Sequence, residues 1–158
     1  MKFQDVLLSP NGRINRQPYW IATLVMFGAG VVAGFIPLVN LLFPLFSIYV
    51  YVCIYNKRLH DLGKSGWLQL ITWAALIVSI GAMIAALVPV VGAIMNGADD
   101  EQEIMGAMMR SVGALAAIGV ATLVSLAFHI WLGVAAGQTG ANSYGPDPLN
   151  PVEPEVFQ

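Results

Sequence analysis

Residues 57–67, KRLHDLGKSGW, bring three cations, a histidine and a carboxylate together between two long apolar runs. Charged groups this close to a bilayer are costly unless they lie at its edge or pair with another group. These residue types suit an anion site, in which Arg58 and Lys64 hold a lipid phosphate or the carboxylate of a partner protein. They also suit topological anchoring, in which the cations only fix the loop and Asp61 pairs with Arg58. The sequence leaves both interpretations open.

The mixture of residue types also indicates a structural role for the carboxylate. An anchor needs cations, but it needs neither His60 nor Asp61. We therefore expect Asp61 to pair with Arg13 or Arg16, which would lock the segment before the first apolar run to this loop. Breaking such a pair is costly when the pair is partly buried.

Other chemistries find little support in the residue pattern. Ser65 has no candidate base other than His60, and no paired carboxylates line a pocket. We therefore predict that the protein is not an enzyme. The triplet Gly63-Lys64-Ser65 lacks the earlier glycine of a phosphate-binding loop, because Arg58 occupies that position. Histidine and cysteine are too few for a metal site, so no metal and no cofactor are predicted.

The apolar runs around this segment predict an all-α integral membrane protein. The chain is 58% hydrophobic and 10% charged, against about 45–50% and 25% in soluble domains. Four runs, at residues 19–36, 38–55, 67–95 and 112–136, approach or exceed the about 17–25 residues that a spanning helix needs. We predict one four-helix domain over residues 1–148, followed by a disordered tail at 149–158.

The distribution of Lys and Arg predicts the orientation of the four spans. Cytoplasmic loops carry an excess of these residues. Six of the seven fall on one side of the predicted topology: Lys2, Arg13, Arg16, Lys57, Arg58 and Lys64. Arg110 falls on the other side, with the acidic 96–103 segment. Both termini and the 56–66 loop are therefore predicted to lie in the cytoplasm.

Three blocks of residues carry a resemblance to a known family. They are Gly12-Arg13-x-x-Arg16-x-x-Tyr19-Trp20, Lys57-Arg58-Leu59-His60-Asp61 through Ser65-Gly66-Trp67, and Gly140-x-Asn142-x-Tyr144-Gly145-Pro146-Asp147-Pro148. In this order they resemble the bacterial inner-membrane family catalogued as domain of unknown function 805. The resemblance implies a multi-span helical protein of the cytoplasmic membrane, and it implies no activity.

The predicted topology places all three blocks on the cytoplasmic side, where they could meet. The predicted function is non-catalytic binding of a protein partner or an anionic lipid through this face; nucleic acid is not a predicted partner. The alternatives are an oligomeric transporter or channel component and a lipid-headgroup enzyme. The predicted binding or locking residues are Arg13, Arg16, Arg58, His60, Asp61, Lys64 and Trp67, with Asn142, Tyr144 and Asp147 from the tail.

Overall fold

The computed structural model describes residues 3–95 and 101–150, apart from the side chains at positions 3, 103, 104 and 110. Within these ranges the regular structure is helical and no strand occurs. The elements are α1 (Phe3–Leu8), α2 (Arg16–Gly34), α3 (Pro37–Asp61), a 3₁₀ turn (Gly66–Gln69), α4 (Leu70–Met95) and α5 (Glu101–Val134).

Four of these helical segments are long and apolar enough to cross a membrane, as the sequence predicts. They are Arg16–Gly34, Pro37–Asp61, Gly66–Met95 and Met105–Val134. Large apolar side chains such as Leu24, Phe27 and Ile77 are 66–70% exposed. An exterior this apolar is unusual for a soluble monomer and suits contact with lipid.

The second span is longer than the sequence predicts, because α3 continues to Asp61. Lys57 and Asp61 were expected in a loop and instead occupy the last helical turns. The helix ends where Gly63 adopts a left-handed φ of +65°, with Lys64 N–H donating to Leu59 O at 2.8 Å. Glycine tolerates this conformation because it has no Cβ.

Local signals also set the start of α2 and the turn into α3. The Asn15 side chain accepts a hydrogen bond from Gln17 N–H at 3.2 Å and caps the first turn of α2. At the other end, Phe35 N–H donates to Val32 O at 3.1 Å, and Pro37 opens α3 with its φ already fixed. The first two spans therefore form a tight helical hairpin, in which α2 packs against α3.

The chain forms two compact units. The first comprises residues 1–69 and 130–158, and it contains α1 to α3 and the end of α5. Its core includes the fully buried Tyr19, Val50, Ile54 and Leu132. The second comprises residues 70–129, where Ser111 Oγ of α5 donates to Ala86 O of α4 at 3.2 Å.

Several predictions about organisation remain predictions. They are the association of all four spans in one bundle, the single domain over 1–148, the cytoplasmic position of both termini and the disorder of the tail. Residues 96–100 of the acidic segment and residues 151–158 of the tail lie outside the described residues, as does the Arg110 side chain.

Candidate functional site

Three segments of the first unit meet at the polar ends of α2 and α3. They are residues 12–16 before and at the start of α2, residues 57–61 at the end of α3, and residues 135–147 after α5. Each segment contains part of one of the three motif blocks of the sequence, and residues 64–67 of the second block stand apart. The three buried side chains that join the segments, Arg13, Arg58 and Asp61, are called the polar cluster below.

Asp61 is the centre of the polar cluster. Its Oδ1 accepts hydrogen bonds from Arg13 Nε at 3.2 Å and Arg13 Nη2 at 3.1 Å, and its Oδ2 accepts one from Arg58 Nη1. All three side chains are at most 3% exposed. Asp61 therefore pairs with both arginines, so the expected lock to Arg13 and the local pair with Arg58 coexist.

The remaining N–H donors of Arg13 bind the segment that follows α5. Its Nη1 donates to Gly140 O at 2.7 Å and to Gly145 O at 3.3 Å, and its Nη2 donates to Gln138 O at 2.5 Å. A guanidinium offers five N–H donors in a rigid fork, and here they connect α3 to three carbonyls. Arg13 thus determines the path of residues 138–145.

Arg58 binds the end of α5. Its Nε donates to Leu132 O at 2.7 Å and its Nη2 to Ala135 O at 2.5 Å, while Nη1 also reaches Ile14 O at 3.3 Å. The last carbonyls of a helix lack partners within the helix and carry partial negative charge. Arg58 satisfies these carbonyls at the end of α5 and holds that end against α3.

Of the two arginines that the sequence offers as partners of Asp61, Arg16 is the one that does not pair with it. Its exposed side chain donates from Nε to Ala135 O at 3.0 Å, the same carbonyl that Arg58 binds. Its Nη1 and Nη2 have no hydrogen-bond or carboxylate partner among the described residues. Asp61 is unavailable because Arg13 and Arg58 already occupy both its oxygens.

The third motif block, residues 140–148, is called the tail block and is held against α3 beside the polar cluster. The rings of His60 and Tyr144 stack with centroids 3.8 Å apart and an interplanar angle of 5°, and His60 Nδ1 lies 3.3 Å from Gly12 O. Asn142 Nδ2 donates to His60 O at 2.9 Å, and its Oδ1 accepts from Tyr144 N–H at 2.9 Å. His60, Asn142 and Tyr144 therefore hold the segment in place.

Asp147 organises the turn that closes the tail block. Its Oδ2 accepts from Gly140 N–H at 2.8 Å and its Oδ1 accepts from Leu149 N–H at 2.9 Å. These backbone donors, that of Leu149 first, favour the charged carboxylate and hold the pKa of Asp147 below its ordinary value.

This lowered pKa predicts a pH dependence of stability. Because the folded protein binds the ionised form more strongly, the stabilisation is complete above the ordinary Asp pKa of 3.8 and is lost as the pH falls through the lower folded value. We expect the melting temperature in detergent to fall as the pH is lowered below 3.8, and to fall less in Asp147→Asn. Equal pH dependence in both proteins would contradict the assignment.

Two predicted residues lie outside this meeting point. Lys64 is exposed, and within the part of the chain that the structure describes only its backbone N–H is engaged, at the end of α3. Trp67 is 77% exposed on the 3₁₀ turn, where its N–H donates to Ser65 Oγ at 3.4 Å. Ser65 therefore caps the 3₁₀ turn, while Lys64 and Trp67 join neither the polar cluster nor the tail block.

A cavity of about 400 Å³ opens beside the polar cluster. Its size lies within the about 300–1,000 Å³ typical of small-ligand sites. The start of α2, the end of α3 and the segment after α5 all contribute to its wall. The chargeable residues of that wall are Arg16, Arg58, Asp61 and Asp147, and Gln17, Gln138 and Thr139 add neutral polar groups.

Sequence reasoning missed the groups that complete this site. Most of the partners of Arg13 and Arg58 are backbone carbonyls, which every residue has and which leave no mark in the sequence. The close approach of Gly137 to Asp61 was also missed. A Cβ at Gly137 would lie 2.8 Å from Asp61 Cγ. Lys57 was counted only as a cation, yet it is fully buried and donates to Asp5 O in the last turns of α1.

Comparisons with known proteins agree with the three-block resemblance. A sequence profile of the family described as "Protein of unknown function (DUF805)" matches residues 7–146. The uncharacterized protein YiiR of Escherichia coli strain K12 is 29% identical over 157 residues, covering 93% of this chain and 90% of the relative. YiiR of Escherichia coli O157:H7 matches to the same extent. No solved structure matches.

Proposed function

This chain belongs to the DUF805 family of proteins of unknown function, and from that premise we propose that it is a phospholipid-binding protein of the bacterial inner membrane. In this proposal the four spans cross the membrane with both termini in the cytoplasm. The cavity beside the polar cluster receives the phosphate of a lipid headgroup. The protein has no catalytic role, and its binding is reversible.

The observation that carries the proposal is the pairing of two arginines on one carbonyl. Arg16 and Arg58 both donate to Ala135 O, at 3.0 and 2.5 Å, and both line the cavity. Two guanidinium groups this close repel each other unless an anion lies between them. Asp61 compensates Arg58, whereas Arg16 has no carboxylate partner among the described residues.

The unused N–H donors of Arg16 and Arg58 suit a phosphate group. Arg16 keeps both Nη groups, and Arg58 uses four of its five N–H donors within the protein. Arginine forks bind phosphate oxygens in pairs with strong, charge-assisted hydrogen bonds. Thr139 and Gln17 line the same cavity and add neutral hydrogen-bonding groups.

The position of the cavity favours a lipid as the source of the phosphate. Arg16 begins α2 and Asp61 ends α3, and both helices are long and apolar enough to span a membrane. A cavity between such helix ends lies at the level of the headgroups in the proposed topology. Each cation near an anionic membrane surface adds about 1 kcal/mol of attraction, so the site would see a high local concentration of phosphate groups.

The proposal is tested by native mass spectrometry of protein extracted mildly from its own membrane. We expect bound phospholipid in the natural protein and at least tenfold less in Arg16→Gln. Thr139→Phe, which fills the cavity without changing its charge, should give the same loss. Lys64→Gln is the matched control, because it removes an exposed cation outside the cavity and should retain the lipid.

Melting temperatures of the four proteins show whether each variant is folded. If Arg16→Gln and Thr139→Phe are folded and retain as much lipid as the natural protein, the proposal is refuted. The alternative of a transporter or channel component predicts a different spectrum, in which a defined oligomer appears without lipid.

A further inference from the structure

The cavity wall carries negative as well as positive charge, and this is unexpected in a site for a simple anion. Asp61 and Asp147 line the cavity together with Arg16 and Arg58. A site that selected only for phosphate would gain nothing from carboxylates, which repel it. The ligand chemistry therefore depends on whether either carboxylate has capacity left for a ligand.

The two carboxylates differ in this capacity. Asp61 accepts three hydrogen bonds from two guanidinium groups, so two positive charges compensate its single negative charge. Asp147 forms no ion pair with any described residue. Its oxygens accept only backbone N–H groups, and a carboxylate has about four acceptor positions.

Asp147 is also buried, with 6% of its surface exposed. A buried carboxylate is costly unless dipoles or a counter-charge compensate it. The turn supplies dipoles through Gly140 and Leu149, and the positive charge of Arg13 also favours the ionised carboxylate, but no described cation forms an ion pair with it. The cavity thus offers unused N–H donors at Arg16 and, at Asp147, a carboxylate with free acceptor positions and no ion-pair partner among the described residues.

We infer that the cavity recognises an aminoalkyl phosphate headgroup, as in phosphatidylethanolamine, with the phosphate on Arg16 and the primary ammonium on Asp147. The inference rests on the proposed function and adds the chemical class of the headgroup. An ammonium has three N–H donors and no acceptor, which complements a carboxylate already held by backbone donors. A glycerol headgroup offers no charge to Asp147.

The test compares three lipids with identical acyl chains, offered in nanodiscs or mixed micelles to delipidated protein. They are phosphatidylethanolamine, phosphatidylglycerol and phosphatidylcholine, which share the phosphate and differ in the headgroup. We expect the ethanolamine lipid to bind at least tenfold more tightly than the others. Phosphatidylcholine is informative because its quaternary ammonium keeps the charge but has no N–H to donate.

Two variants separate the inference from the proposed function. Asp147→Asn should bring the three lipids to similar affinity while binding persists, because Arg16 still holds the phosphate. Arg16→Gln should weaken all three. Melting temperatures at pH 7 verify that both variants are folded, and Asn keeps the shape and one acceptor of Asp147.

Each outcome decides the inference, the proposed function, or both. If phosphatidylglycerol or phosphatidylcholine binds as well as phosphatidylethanolamine, and Arg16→Gln weakens all three, the inference is overturned and the proposed function stands. If Arg16→Gln weakens none, both are overturned. If soluble O-phosphoethanolamine binds as tightly as the lipid, the membrane is not the source of the ligand, and the proposed function is overturned.

Discussion

Replacing Asp61 with alanine is expected to lower the free energy of unfolding by about 3–5 kcal/mol, the usual cost of removing one partner from a buried ion pair. The variant leaves Arg13 and Arg58 facing each other at 1% and 0% side-chain exposure without their shared carboxylate. Because these arginines also hold the segment after α5, the loss should loosen all three segments. Reversible unfolding in mixed micelles, followed by circular dichroism, measures the change.

Glu101→Ala is the control for this prediction. Glu101 is an exposed carboxylate at the start of α5, and it makes no ion pair with any described residue. Its removal should change the stability by no more than about 0.5 kcal/mol. Asp61→Asn adds a second check, since it keeps the shape but turns an amide N–H₂ towards a guanidinium. Similar stability of Asp61→Ala and Glu101→Ala would show that the polar cluster is not a structural lock.

Adding a single methyl group at Gly137 is expected to destabilise the protein by about 1–3 kcal/mol, in the range of overpacked cores. The new Cβ would overlap the Asp61 carboxylate, with Cγ only 2.8 Å away. Two arginines fix this carboxylate, so it cannot move without lengthening the hydrogen bonds that define the polar cluster. The φ of Gly137 is not positive, so the cost is steric.

A double-mutant cycle isolates this contact. In the Asp61→Ala background the overlap is absent, so Gly137→Ala should add little further destabilisation. Such non-additivity is the expected signature of residues in direct contact. Gly28→Ala is the control, because a Cβ at Gly28 in α2 meets no atom within 4 Å. Full additivity of Gly137→Ala and Asp61→Ala would place the cause of the destabilisation elsewhere.

The lock explains why the segment 57–67 mixes residue types that anchoring alone does not need. Arg58 holds the end of α5, Asp61 binds the N-terminal segment through Arg13, and His60 stacks on Tyr144. Gly63 ends α3 at the required position. This leaves Arg16 as the exposed arginine at the cavity with unused donors, and so places the proposed ligand there.

The sequence by itself determined the helical class and the number of candidate spans, and it indicated which motif blocks could meet at one end. Apolar runs of spanning length and Pro37 predict a hairpin of spans without tertiary information, because backbone groups in an apolar environment must be satisfied within a helix. The positions of the motifs also predict that Arg13, Asp61 and the tail block could meet, since all flank span ends on the same predicted side.

Only the tertiary structure decided how these residues divide their roles. Arg13 and Arg16 are equivalent by residue type and nearly by position, yet Arg13 is buried on Asp61 and Arg16 is exposed at the cavity. The choice depends on carbonyls of residues 132–145, which have no side-chain signature and reach the arginines only after the chain returns from α5. The physical reason is that long-range backbone partners, unlike local periodicity, are not encoded in neighbouring residues.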